Sequence, residues 1–134
     1  MSKVALALST NKATLSAGIS DSLEFYMIAG KSHSSQQYAL LCSASGTSPG
    51  TVLPGGDILP LNRDFVFDFV KAHIGFPWFA GFYGTIDAAG YAAAKLSTLF
   101  VPPALPIGTT LHFAFTTLFP FDFQSNPVAI SIVP

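Results

Sequence analysis

Apolar residues recur at every second position along most of this chain, the spacing that sends alternate side chains to opposite faces of a β-sheet. Val4, Leu6 and Leu8 alternate with Ala and Ser in a predicted opening strand. Leu23, Phe25 and Met27 alternate with Glu24, Tyr26 and Ile28 in the next, and Gly30 to Ser35 reads as a polar turn. Gln37 to Ser43 is a third strand. From Ser45 to Asn62 the Gly and Pro residues interrupt regular structure, leaving room for one short strand around Ile58 to Leu61.

Asp64 to Ala72 gives the clearest alternation, with Phe65, Phe67 and Phe69 on one face as the expected core side. Phe79 to Ile86 reads as a further strand. The turn Asp87-Ala88-Ala89-Gly90 then leads into Tyr91 to Leu99. Ala92-Ala93-Ala94 alone suits a short helix, but the turn before it and the prolines after it favour a strand. Thr109 to Phe119 is a long strand with Leu111, Phe113 and Phe115 on one face, and Asn126-Pro127 opens a closing strand over Val128 to Val133. About eight short strands at regular spacing predict an all-β fold, an antiparallel β-sandwich of Ig-like or jelly-roll-like type. No helix longer than two turns is expected. Residues 1–134 carry no repeat or linker and read as one domain.

Composition sharpens this picture through one number. Charged residues make up 10% of the chain, against about 25% in ordinary soluble domains. After Lys95 the only formal charge is Asp122, and the net charge is −1. Repulsion between copies therefore hardly opposes self-association. The six basic residues are scattered and form no patch for nucleic acid. No apolar run approaches the ~20 residues of a membrane-spanning helix. Val4 to Leu8 is too short for the apolar region of a signal peptide, so an exported form is expected to carry its leader outside this sequence.

Several separated strings then form an ordered set: Ser45-Gly46-Thr47-Ser48-Pro49-Gly50, Leu59-Pro60-Leu61-Asn62, Gly84-Thr85-Ile86-Asp87-Ala88-Ala89-Gly90, Thr110-Leu111-His112-Phe113-Ala114-Phe115, Ser125-Asn126-Pro127-Val128 and the closing Ile132-Val133-Pro134. Together, from roughly Leu15 to Pro134, they resemble a β domain common at the C-terminal ends of secreted proteins from large-genome environmental bacteria. The resemblance implies a secreted or cell-surface β domain and carries no activity or site residues. The chain departs from that pattern between Ala72 and Tyr83, which is far more aromatic.

Catalytic signatures are missing from the sequence. It has no GxSxG elbow, no GxGxxG and no phosphate-binding glycine loop. His33, His73 and His112 lie in different segments without ligand spacing, so neither metal nor other cofactor is expected. As strand residues, Asp64 and Asp68 stand roughly 13 Å apart, beyond the ~5–9.5 Å of a glycosidase pair. Asp57, Asp64, Asp68 and Asp87 form no DxDxDG calcium loop. Cys42, the single cysteine, sits in an apolar run as an inert buried thiol.

The cluster from Phe76 to Tyr83 is the main candidate for recognition. Simple alternation puts Trp78, Ala80 and Phe82 on one face and Phe79, Gly81 and Tyr83 on the other, so one set is expected to reach the exterior. Phe76, Trp78, Phe82 and Tyr83 are accordingly candidate interface or ligand residues. His112, opposite Leu111 and Phe113, and Ser131, on the uncharged closing strand, complete the candidates. The reading favoured is a non-enzymatic assembly subunit whose partner is itself, in an oligomer, layer or filament. The alternative is a carbohydrate-binding or adhesion module with a polysaccharide as partner.

Overall fold

A computed structural model of the chain describes residues 7–16, 22–75, 79–97, 108–118 and 120–133. These form eleven strands and one α-helix: β1 (Leu8–Thr10), β2 (Thr14–Ser16), β3 (Ser22–Ile28), β4 (Gln37–Ser43), β5 (Thr51–Val52), β6 (Ile58–Leu59), α1 (Phe65–Ala72), β7 (Phe79–Ala80), β8 (Tyr83–Thr85), β9 (Tyr91–Ser97), β10 (Thr110–Leu118) and β11 (Val128–Val133). The first sheet has the order β1-β3-β9-β7 and the second β2-β11-β10-β4-β8, while β5 and β6 pair as a separate ribbon. All pairings are antiparallel except β2 with β11. The two sheets pack face to face, so the expected all-β sandwich is what the chain forms.

Strands of the sandwich alternate between the sheets along the chain. Apart from β10 and β11, no two sandwich strands consecutive in sequence share a sheet. Each inward-facing set therefore meets residues from the opposite sheet. Phe25 of β3 meets Phe113 of β10 with ring centroids 4.8 Å apart. Phe82, between β7 and β8, packs edge-on against Phe25 at 5.5 Å and against Phe113 at 6.4 Å. Edge-to-face geometry of this kind adds about 0.5–1.5 kcal/mol per pair beyond the area buried. Leu8, Leu23, Met27, Leu40, Phe115, Ile130 and Ile132 extend the same core.

The second sheet is covered on both sides at its centre. β4 is buried from Tyr38 through Ser43, and β10 is buried at Leu111 and from Phe113 through Thr117. The elements that pack on these strands from outside their ladders include α1 on β4 and β6 on β10. Both faces can be apolar there, which explains the uncharged sequence of β10. β10 and β11 are interior strands and need no charge to guard an edge. The four edge strands, β1, β7, β2 and β8, are three residues or shorter, a common means of denying a template to other chains.

Asn126 fastens the sheets at one corner. Its side-chain oxygen accepts the Leu8 amide at 3.0 Å and its side-chain nitrogen donates to the Leu8 carbonyl at 3.0 Å. Both polar groups of an edge-strand residue are thereby satisfied without a strand neighbour.

The segment Asp64 to Ala72, expected as a strand with Phe65, Phe67 and Phe69 inward, is instead helix α1. Asp64 is its N-cap, accepting the Phe67 amide at 2.9 Å through Oδ1. Val66, Phe67 and Val70 are buried, whereas Phe65 is 68% exposed. Val66, Val70 and Ile74 recur every fourth residue, so the helical period was present beneath the alternation of phenylalanines. The other carboxylate oxygen of Asp64 accepts the Ala44 amide at 2.9 Å and the Ser43 hydroxyl at 3.2 Å. One side chain thus starts the helix and ties it to the end of β4.

The expected strand from Phe79 to Ile86 is divided. β7 belongs to the first sheet and β8 to the second, with Gly81 between them at φ +75. A Cβ at Gly81 would stand 2.5 Å from the Ala93 carbonyl oxygen, so the chain turns there against β9 and only Gly fits. Residues on the two sides of this turn no longer share a face by simple alternation. Phe79 and Phe82 are both buried, while Ala80, Gly81 and Tyr83 are exposed. The segment from Ala92 to Ala94 is strand, inside β9. The expected opening strand lies outside the described residues except for Ala7 and Leu8, and so do Leu99 and the proline-rich stretch from Pro102 to Pro106.

Two outcomes follow from this packing. Phe82→Ala is expected to lower unfolding stability by about 3–5 kcal/mol, read from the urea midpoint; a loss within about 0.5 kcal/mol would contradict its central place. The second concerns pH. Burial pushes the Asp64 carboxyl up, but hydrogen bonds from the Phe67 amide, Ser45, the Ala44 amide and Ser43 together hold it below its ordinary value of 3.8. A depressed carboxylate contributes stability above its unfolded pKa and loses it as pH falls through the folded one. The melting temperature should therefore fall as pH drops below about 3.8, and Asp64→Asn should make that fall shallower. Asp122, held low by Gln36 and Thr117, acts in the same direction.

Candidate functional site

The residues singled out by sequence do not converge. Phe76 and Trp78 lie outside the described residues. Phe82, expected on a surface-reaching face, is fully buried between the sheets; the turn at Gly81 rotates it inward. Tyr83 is 47% exposed on β8, at one edge of the second sheet. His112 is half-buried on β10 and Ser131 is exposed on β11. Pairing places Tyr83 beside Ala39, which faces Thr116, and His112 beside Ala129, so Tyr83, His112 and Ser131 share the outer face of the second sheet. Tyr83 and Ser131 are nevertheless three strands apart, about 14 Å across the sheet, and further displaced along it.

A polar group on that face invites a chemical reading. His112 stands directly opposite Ser43, and Ser43 donates to Asp64. In a nucleophilic relay the imidazole stands between hydroxyl and carboxylate. Here Ser43 is fully buried and bonded straight to Asp64, whose two oxygens are committed to Phe67, Ala44 and Ser43. The His112 Nδ1 atom is buried with no partner among the described residues. The group holds α1 in place and does not compose a relay. Cys42 is buried, and burial together with the nearby Asp64 charge pushes its thiol well above the ordinary value. Among the described residues no three His, Cys, Asp or Glu side chains group around a metal position, and no helix is long and apolar enough to cross a membrane.

The outer face of the first sheet is different in kind. Period-two alternation in β3 turns Leu23, Phe25 and Met27 inward and Glu24, Tyr26 and Ile28 outward. In β9 the outward set is Tyr91, Ala93 and Lys95. Antiparallel register sets these residues directly opposite one another: Ile28 with Tyr91, Tyr26 with Ala93, Glu24 with Lys95. Tyr26 is 43% exposed, Ile28 40% and Tyr91 52%. Three large apolar side chains thus form one contiguous patch, with Ala93 as a shallow gap between Tyr91 and Lys95. Soluble surfaces tolerate isolated apolar residues readily, but contiguous groups of this sort mark contact surfaces.

Local chemistry holds the patch in shape. Asp87 Oδ1 accepts the amides of Ala89 and Tyr91, each at 2.9 Å, fixing the turn that delivers Tyr91 to the head of β9. Gly90, at φ +89, lets that turn lie against the backbone of Gly30. Tyr26 donates its hydroxyl to Glu24 Oε1 at 3.0 Å along the same strand face. This hydrogen bond, followed by slight burial and the Glu24 charge, raises the Tyr26 hydroxyl above its ordinary value. The phenol therefore stays neutral and directed toward Glu24.

This patch was only half visible in the sequence. The outward positions of Tyr26 and Ile28 follow from alternation, but their neighbour Tyr91 lies more than sixty residues away. The chain matches no protein-family model, no curated protein and no solved structure.

Ser131 offers a control surface. It points to solvent on a face that carries small residues, with Thr110 and Thr14 beside it. Ser131→Lys is expected to change stability by no more than about 0.5 kcal/mol, measured by thermal melting, and to leave the native mass as in the parent.

Proposed function

We propose that this domain is a non-enzymatic structural subunit that associates with copies of itself through the outer face of its first sheet. The observation that carries the reading is the contiguous, exposed patch of Tyr26, Ile28 and Tyr91 around Ala93. The charge content supports it: 10% charged residues and a net charge of −1 leave little repulsion between copies. The short edge strands support it from the other side, because they favour association through a face over strand addition at an edge. The ordered strings that resemble secreted bacterial β domains support an extracellular or cell-surface setting.

A glycan-binding reading draws on the same patch. Tyr26 and Tyr91 stand diagonally across the β3–β9 ladder, and a flat pair of aromatic rings is a platform for sugar rings. The low charge of the whole chain finds no use in that reading, so self-association is favoured.

The test is native mass by light scattering over a wide concentration range, followed by electrophoresis through polysaccharide gels. The parent is expected to exceed the monomer mass at micromolar concentration and to stay associated in raised salt, since screening acts chiefly on charges. Ile28→Lys is expected to return a folded monomer with stability within about 0.5 kcal/mol of the parent. A parent that is monomeric throughout, and is retarded by a glycan until Tyr91 is replaced by Ala, would establish the glycan reading in its place.

A further inference from the structure

The outward face of β3 and β9 is complementary to itself, and its register defines how two copies meet. The face has two columns and three rows: Ile28 with Tyr91, Tyr26 with Ala93, and Glu24 with Lys95. Each row joins unlike partners, and in two of them the contrast is marked. A bulky phenol stands beside an alanine methyl, and a carboxylate stands beside an ammonium.

Stacking two sheets face to face by a two-fold rotation requires the axis to lie in the plane between them. An axis parallel to the strands and midway between β3 and β9 lays β3 of one copy over β9 of the other. Heights along the strands are preserved by that rotation. Tyr26 then seats over the second copy's Ala93, Ile28 over the second copy's Tyr91, and Glu24 over the second copy's Lys95. The aligned packing of strands is the ordinary one for stacked sheets, with directions within about 30° of each other.

We infer that the partner of this face is a second copy of the chain in an isologous pair, registered by two Glu24–Lys95 contacts across the two-fold axis. The inference deepens the self-association reading and rests on it. Each part of the face then has a use. The large side chain of Tyr26 fills the space that Ala93 leaves, and the apolar rows at Ile28 and Tyr91 supply the affinity. Among the described residues Lys95 makes no ion pair within its own chain, so its ammonium is free to meet a second copy. Glu24 is exposed, and only its Oε1 accepts the Tyr26 hydroxyl among the hydrogen bonds described. Charged groups arranged in this manner set register and exclude wrong partners more than they add affinity.

The charges make a specific test available. Glu24→Lys places Lys at both positions of the row, and Lys95→Glu places Glu at both. In a pair of identical variants each of the two contacts becomes a clash of like charge. Mixing the two variants restores opposite charge at both contacts, because each Lys of one copy then faces a Glu of the other. Both substitutions are on exposed positions, and thermal melting of each variant confirms that it is folded.

Native mass is read for the parent, each variant alone and the equimolar mixture. Pairing of each variant alone is expected to weaken about tenfold or more relative to the parent, like charges opposed across an interface being strongly disfavoured. The mixture is expected to recover a dimer mass, with one copy of each variant identified by native mass spectrometry. Variants that associate as the parent does, or a mixture that fails to recover, would overturn the Glu24–Lys95 register while leaving association through the face standing. A parent that is monomeric at every concentration overturns the self-association reading itself, and the register with it.

Discussion

The contact of Phe25 with Phe113 and Phe82 is the interaction on which the rest of the molecule depends. These three rings come from the middle of one sheet, the middle of the other and the turn that passes between them. Their burial fixes which face of β3 is inward. Once Phe25 and Met27 turn toward the core, the pleat leaves Tyr26 and Ile28 no choice but the exterior. The candidate surface is in this sense the reverse side of the core, and a slip of one residue in β3 would exchange the two.

The alternation of strands between sheets accounts for what the sequence disclosed and what it withheld. Within β3, β4, β9, β10 and β11 the period of two is a local property, so strand extents and the inward residues of β3 and β10 were legible. The pairing of those strands is a long-range property. Nothing in the sequence around Tyr26 announces Tyr91, and the surface they make together could not be read from either segment. Two local readings also failed for identifiable reasons. Phe65, Phe67 and Phe69 imitate a strand face, yet Val66, Val70 and Ile74 carry a helical stripe, and the cap at Asp64 with a buried place beside β4 decided for the helix. Around Phe82 the alternation was interrupted by one left-handed Gly, which moved that ring from the expected surface to the core. Of the recognition residues named from sequence, Tyr83, His112 and Ser131 share a face without forming a site.

The same residue types serve opposite ends on the two sheets. On the second sheet, α1 and the β5–β6 ribbon pack on the central strands, and the uncharged stretches there belong to the core. On the first sheet Tyr26, Ile28 and Tyr91 remain exposed. Apolar exterior positions therefore differ in their consequences: at β10 the outward residues are covered within the chain, whereas Tyr26, Ile28 and Tyr91 lie on a face that the proposed pairing covers with a second chain. Asp64 makes the first arrangement possible by giving the helix its start and β4 its attachment through a single carboxylate.

The fastening of Leu8 by Asn126 has a bearing on how the molecule comes into being. The two residues are separated by 118 positions, and the hydrogen bonds run to both backbone groups of Leu8. As the chain leaves the ribosome, β1 emerges before its partner β3, but the clasp that secures β1 is made only once Asn126, 118 positions after Leu8, has also been synthesised. At about 5–20 residues per second that interval is on the order of ten seconds. Throughout it one edge of β3 depends on a three-residue strand with no clasp. Until Asn126 appears, the nascent chain lacks the side chain that satisfies the outward backbone groups of Leu8, and the connection between β10 and β11 is what supplies it.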